Sequence, residues 1–432
     1  PDINYLNTGF VEGGALLPVL SGTRINRFVA RRATAAYVPS NEKSPETYTW
    51  SLSVQREQFK DWLFELRYIG NHSIYLPVQQ QLNAGTPNPV RLPLFLNSSE
   101  LASKDFTGAP TLAQFTSGGR RLLAPYGFDG VISTLSPDGQ SWYHGASISA
   151  SKKLSRSFLV NTSYTWSKTL DIIENDVNSS SLNPRRPKDA YNLAANKGLS
   201  GLHRAHKFVA SWIYELPRYD GNRMLGGFLN DWQFLGSYIL ESGQPISVLS
   251  FVDANGDLDT VGDSAVENPS GQKNTGTDVN FVCWNGSTAT VGPPASSTAS
   301  PCGGAGNIVG YVAQNPDAQY IRARPGMVAN VGRNTFIMPG INTANLSLFK
   351  DIAISEGKSL QFRVEMFNAF NHPSHTLGSG TVLSQTASNS PSRNTEYATP
   401  GSASFLNSKV FSGGMGNAPF QRVIQWGLKL TF

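Results

Sequence analysis

Charge is scarce in this chain of 432 residues: Asp, Glu, Lys and Arg make up 15% of it, against about 25% in an average soluble domain. The two signs nearly balance, 35 basic against 30 acidic, for a net charge of +5. The densest basic spots are the pairs Arg31-Arg32, Arg120-Arg121 and Arg185-Arg186, and such pairs do not make the stripe that nucleic acid needs. No nucleic-acid partner is expected. Cysteine is rarer still. Cys283 and Cys302 stand 19 positions apart in a segment rich in Gly, Ser and Pro, which suits one loop disulfide formed in an oxidising compartment. Long apolar runs are missing: none reaches 18 residues, and that excludes a bundle of transmembrane helices. Catalytic signatures are missing too. There is no Ser-His-Asp order, no Cys-His pair, no H-E-x-x-H and no P-loop lysine after a glycine run, so no enzyme is expected. The chain opens at Pro1 without a methionine, and is read as a processed product or an internal piece.

What the chain has is alternation. Tyr48, Trp50, Leu52 and Val54 are apolar, and Thr47, Thr49, Ser51, Ser53 and Gln55 lie between them. The pattern returns in Trp62, Phe64, Leu66 and Tyr68, in Ala146, Ile148 and Ala150, and in Phe158 to Trp166. It recurs in Phe208 to Leu216, Trp232 to Leu240, Leu346 to Leu348, Leu360 to Met366 and Ile424 to Phe432. A period of two over such lengths is a strand signal. Nine strands result, and their length of about 9–12 residues suits a tilted crossing of the hydrocarbon layer. Soluble sandwich strands are nearer 5–6 residues.

The gaps alternate as well. Residues 57–61, 153–157, 217–230 and 352–358 are short, whereas 71–142, 170–205, 242–341 and 371–421 are long. Short periplasmic turns opposite long extracellular loops are the habit of outer-membrane barrels. Tyr and Trp also gather near the strand ends, where rings with an apolar body and a polar edge settle at the headgroups. The predicted fold is therefore all-β: an antiparallel transmembrane β-barrel in the bacterial outer membrane. Residues 47–432 form its wall and loops. Residues 1–46 are an extracellular loop or a further strand, with Arg27 to Tyr37 the candidate strand. Lipid is the expected surroundings, and an enzyme on a soluble β-sandwich is the competing reading.

Several runs resemble TonB-dependent outer-membrane receptors, and among them the Oar-like family. They are Trp50-Ser51-Leu52-Ser53-Val54-Gln55-Arg56, Ser163-Tyr164-Thr165-Trp166-Ser167-Lys168, His203-Arg204-Ala205-His206-Lys207-Phe208, Gly332-Arg333-Asn334-Thr335-Phe336, and Arg363-Val364-Glu365-Met366-Phe367-Asn368-Ala369-Phe370-Asn371-His372-Pro373. The resemblance implies the C-terminal portion of a 22-stranded barrel, with neither plug nor TonB box in view. It implies energised uptake of a large ligand, with the plug domain, TonB and the barrel assembly machinery as partners. Trp426, Leu428, Leu430 and Phe432 resemble the C-terminal assembly signal of such proteins, which would set the last residue on the periplasmic side. A surface adhesion barrel, presenting 265–305 and 376–408, and a passive porin are the alternatives.

The polar face is expected to line the lumen with Glu65, Arg67, Glu215, Gln233, Glu241, Arg363, Glu365 and Lys429, chiefly as contacts for a plug. No resident cofactor is expected apart from calcium in an extracellular loop, where Asp253, Asn255, Asp257 and Asp259 set oxygen ligands at alternate positions, the habit of sites for a hard cation. The competing reading of that run is a loop of Asx-turns.

Overall fold

The computed structural model describes residues 43–59, 61–117, 120–128, 130–155, 157–172, 186–259, 262–291, 302–372, 399–401, 405–406 and 422–432, with three backbone pairs at 10–11, 15–16 and 36–37. Nine long strands make one antiparallel sheet: β1 (Glu46–Glu57), β2 (Trp62–Gln81), β3 (Ser133–Ser155), β4 (Phe158–Asp171), β5 (His206–Glu215), β6 (Trp232–Glu241), β7 (Ile341–Ser355), β8 (Lys358–Phe367) and β9 (Val423–Thr431). They neighbour one another in chain order from β1 to β9, a meander. Among the described residues β1 and β9 do not pair, so the sheet stays open.

Register carries the apolar pattern across the whole sheet. Leu52 faces Tyr68, which faces Ala146, which faces Trp166. At the other end Phe234 faces Leu348, Leu348 faces Val364, and Val364 faces Trp426. Because side chains alternate with a period of two, one register keeps every apolar set on one face. That face is not covered by protein: Tyr48, Leu52, Val54, Leu66, Ile148, Trp166, Trp426 and Leu428 are all exposed. Two tryptophans lie flat over glycines of the next strand. A β-carbon on Gly70 would fall 2.3 Å from the Trp50 indole, and one on Gly236 would fall 2.1 Å from that of Trp212.

Two expectations need correction. The strands are not uniformly 9–12 residues: β2 runs for 20 and β3 for 23. Their outer halves pair irregularly, with register shifts between Ser73 and Leu76 and between Leu76 and Val78. The polar, irregular sequence there hid the extension. Likewise, the turn read as 352–358 shrinks to Glu356-Gly357 between β7 and β8, with Gly357 at φ 76°. Of the 1–46 segment, Ala36–Tyr37 pairs in parallel with Ser133–Thr134 of β3. The rest of Arg27 to Tyr37 lies outside the described residues, as does most of the 376–408 loop.

The long loops form a packed body. The described residues within 82–132, 186–205 and 242–340 fold together into a cap over the long-loop end of the sheet. Its core holds Ile246, Val248, Val331 and Phe336 in one cluster, Val279, Tyr311 and Ile321 in a second, and Val282, Val309 and Val312 in a third. The strand Ile308–Ala313 is buried at every position and pairs with Val279–Cys283 and with Leu94–Phe95. The helix α1 (Leu112–Ser117) packs beside it. A continuous apolar run of 4–8 residues is consistent with a strand buried on both faces, and Ile308 to Ala313 is such a run, without the period of two that marks the wall. Cys283 and Cys302 are joined, with an S–S distance of 1.93 Å and Cα atoms 5.5 Å apart.

Candidate functional site

Register places all eight residues expected in the lumen on the face opposite the apolar one. Near the cap, Arg67 faces Ser147, Ser147 faces Thr165, Thr165 faces Lys207, and Lys207 faces Glu241. Glu241 accepts from Arg204 Nε at 2.8 Å and pairs with Lys207 Nζ at 2.9 Å. Glu65 pairs with Arg67 at 3.1 Å. Near the short-turn end, Glu215 faces Gln233, Gln233 faces Phe349, and Phe349 faces Arg363. The Arg363 guanidinium sits 5.0 Å from the Phe349 ring centroid and bonds the Gln361 amide oxygen. Lys429 stands opposite Gln361, and Glu365 lies between Ser347 and Gln425. A cavity of about 510 Å³ opens there, lined by Glu215, Arg218, Asp231, Gln233 and Asp351. Partly exposed ion pairs of this kind contribute about 0–1 kcal/mol to stability. Their chemical use is an array of donors and acceptors for a polar partner.

The Gly332–Phe336 run, noticed only by resemblance, joins cap to wall. Arg333 is almost fully buried, and its guanidinium pairs with the carboxylate of Asp171 at the end of β4. It also donates to the Asp171 carbonyl at 2.7 Å and to that of Asn196 at 3.1 Å. Asn334 Nδ2 donates to the Leu199 carbonyl at 2.7 Å. In the His203-Arg204 run, Thr169 N–H donates to His203 Nδ1 at 3.2 Å.

Asp253, Asn255, Asp257 and Asp259 do come together, in a loop whose oxygens are already engaged. Asp253 accepts the N–H groups of Gly256 at 2.7 Å and Leu258 at 3.0 Å. Asn255 accepts that of Asp257 at 2.8 Å, and Asp257 that of Asp259 at 2.8 Å. Asp259 pairs with Arg186 at 2.7 Å. The loop carbonyls are used as well: Ala254 accepts from Gly326, Asn255 from Asn88, and Asp257 from Gly85. These are Asx-turns, and they fasten three loops to one another. Asp263, absent from the expected set, accepts the Ala254 N–H at 2.7 Å. Burial pushes the Asp257 carboxyl up to about 7 and that of Asp263 up to about 8, because desolvation penalises the charged form. Among the described residues no group of three or more His, Cys, Asp and Glu is arranged to hold a metal.

Beside this loop the cap carries a cleft of about 260 Å³, lined by Arg91, Lys188, Asp189, Asn192, Asn255 and Asp263, with Met327 and Val328 on one wall. Burial holds the Lys188 ammonium below its usual range, opposed by the nearby Asp263 and Asp189. The cleft offers donors and acceptors together, which suits a polar ligand. Sequence spacing gave no sign of it, since its residues come from four separate stretches.

The exposed apolar face, the opposite polar face and the cap at one end meet in a family comparison. A model for an outer membrane beta barrel domain matches residues 4–403. The chain belongs to this family. It is a protein of the bacterial outer membrane, and the exposed apolar face is its lipid-facing surface. In outer-membrane barrels the short connections are as a rule periplasmic and the long ones extracellular. No curated protein matches the chain. Among solved structures it is similar to the outer membrane transporter YddB from Escherichia coli, at 7% identity over 81% of this chain and 33% of that one, with a TM-score of 0.32. It is also similar to the ferripyoverdine receptor of Pseudomonas aeruginosa (10%, 76% and 24%, 0.30) and to the siderophore receptor PiuA from Acinetobacter baumannii (9%, 76% and 36%, 0.23). The chain thus spans between 24% and 36% of the length of these proteins.

Proposed function

We propose that the chain is part of the wall, together with the extracellular cap, of a TonB-dependent receptor of the Oar-like type, built on a 22-stranded barrel. The cap captures a large ligand, a plug domain held in the lumen moves when TonB is engaged, and the ligand passes along the polar wall. The observation that carries this reading is the pairing of a polar, mixed-charge inner face with a structured cap at the extracellular end. Glu65, Arg67, Glu215, Gln233, Glu241, Arg363, Glu365 and Lys429 serve as plug contacts. Trp426, Leu428, Leu430 and Phe432 serve as the assembly signal. The cap with its own core also favours a second reading, a binding barrel without transport.

Uptake of labelled cobalamin, a ferric siderophore and a maltodextrin is measured in cells with and without the gene, and with and without TonB. A deficit for one compound that is the same in either deletion supports the receptor. Binding to cells that persists without any uptake deficit supports the adhesion barrel. Ion conductance of the purified protein in planar bilayers supports a porin and removes the receptor reading.

A further inference from the structure

The connection between β5 and β6 is the longest on the periplasmic side, and it contains the helix α2 (Arg223–Leu229). The segment closes on itself. The Asn222 side chain accepts the Met224 N–H at 2.9 Å and caps the helix. Asn230 accepts the Tyr219 N–H at 2.6 Å and donates back to the Tyr219 carbonyl at 3.0 Å. About 100° per residue places Met224, Leu225, Phe228 and Leu229 on one arc of the helix. Gly226, buried, and Asn230 stand on the other side, toward the connection. The apolar arc is bare: Met224 is 88% exposed, Leu225 53%, Phe228 70% and Leu229 45%. A segment this firmly tied, with four large apolar side chains on one side, is built to present them.

The direction in which it presents them follows from its attachment. Trp232 Nε1 donates to the Phe228 carbonyl at 2.8 Å. Trp232 belongs to the lipid-facing set, opposite Lys350, which is opposite Phe362, which is opposite Leu428. Lys350 bonds the Asn230 carbonyl through Nζ, and its ammonium lies 5.8 Å from the Trp232 ring centroid. A tryptophan and a lysine together at a strand end mark the headgroup level, where the ring and the ammonium both find polar partners. The helix therefore hangs from the outer side of the wall at its periplasmic rim, continuous with the lipid-facing surface.

We propose that α2 is an interfacial helix: it lies in the periplasmic leaflet of the outer membrane and inserts Met224, Leu225, Phe228 and Leu229 among the phospholipid acyl chains. An amphipathic helix in the plane of the interface buries its apolar side to about 5–10 Å. The assignment is independent of any transported ligand, and would hold for a receptor, an adhesion barrel or a porin.

The test uses the full chain in vesicles of phosphatidylethanolamine and phosphatidylglycerol. Since Cys283 and Cys302 are joined, Met224→Cys, Leu225→Cys, Phe228→Cys and Asp220→Cys can each take a single nitroxide label. Relaxation by dissolved oxygen should exceed relaxation by a water-soluble nickel chelate at positions 224, 225 and 228, and the order should reverse at 220. Equal access of the nickel chelate to 224, 228 and 220 would show a helix in water and overturn the proposal. Protection of 224 and 228 from oxygen and nickel alike would show a protein partner, such as a second copy, and would overturn it too. Should one labelled variant not insert, the other two positions on the arc report the same property.

Discussion

The wall and the cap are made by one chain and obey opposite burial rules. In the wall many large apolar side chains stand exposed, Leu66 at 55% and Trp166 at 62%. The cap has an interior that the wall lacks: Tyr311, Ile246 and Val282 are at 0%. Both patterns lower the free energy of apolar surface; they differ in the solvent met. Lipid receives the wall directly, so its strands need only to satisfy their backbone groups. Water surrounds the cap, so the cap has to build an interior, close-packed as soluble cores are.

The contrast can be broken most severely at the cap core. Tyr311→Ala removes a ring whose hydroxyl also bonds the Pro325 carbonyl at 2.8 Å. It should cost the cap about 3–5 kcal/mol. Limited proteolysis should then cut residues 242–340 while heat-modifiable migration of the barrel persists; loss of both together would mean that wall and cap fold as one unit. Removal of the disulfide by Cys283→Ser with Cys302→Ser comes next. Closure of a loop of this size is worth about 3 kcal/mol in the chain-entropy model, and the loss should show in denaturant titration of the cap and not of the wall.

A third change addresses the solvent directly. Leu66→Arg should destabilise insertion by about 2–4 kcal/mol if Leu66 lies near the bilayer midplane. Trp284→Arg, at a cap position 62% exposed, should stay within about 0.5 kcal/mol. Equal effects at the two would mean that exposure has one meaning throughout the molecule. A fourth change is that of pH on the cap. Asp257 and Asp263 have folded pKa values of about 7 and about 8, above the ordinary 3.8. Their stabilisation is complete below pH ~4 and fades as pH rises through those folded values. The cap should therefore unfold at lower denaturant at pH 8 than at pH 5. Asp263→Asn, which keeps an acceptor for the Ala254 N–H, should flatten that dependence; an unchanged slope would place the titration elsewhere.

Much of the wall is legible in the sequence. Alternation located all nine strands, because a strand between lipid and water needs a different side chain at each successive position. Leu52, Tyr68 and Trp166 share a face by counting alone. The outer halves of β2 and β3 were not legible. There the second strand packs against the cap, with Val78 and Gln81 buried, and residues such as Gln79, Gln80 and Gln81 show no period. The Asp253–Asp259 run announced turns, but not that its carbonyls would be held by Gly85, Asn88 and Gly326. Nor did Arg333 announce its partner Asp171, which is 162 residues away in the chain.

Sequence alone determined that the chain would be a β-sheet with one face for lipid and one for polar surroundings, because that choice is written locally at every second residue. Tertiary structure alone decided that the long loops share one body, that the Asp-rich loop fastens them, and that α2 hangs beside Trp232. Those contacts join residues far apart in the chain, and no local period encodes which distant carbonyl or carboxylate a side chain will meet.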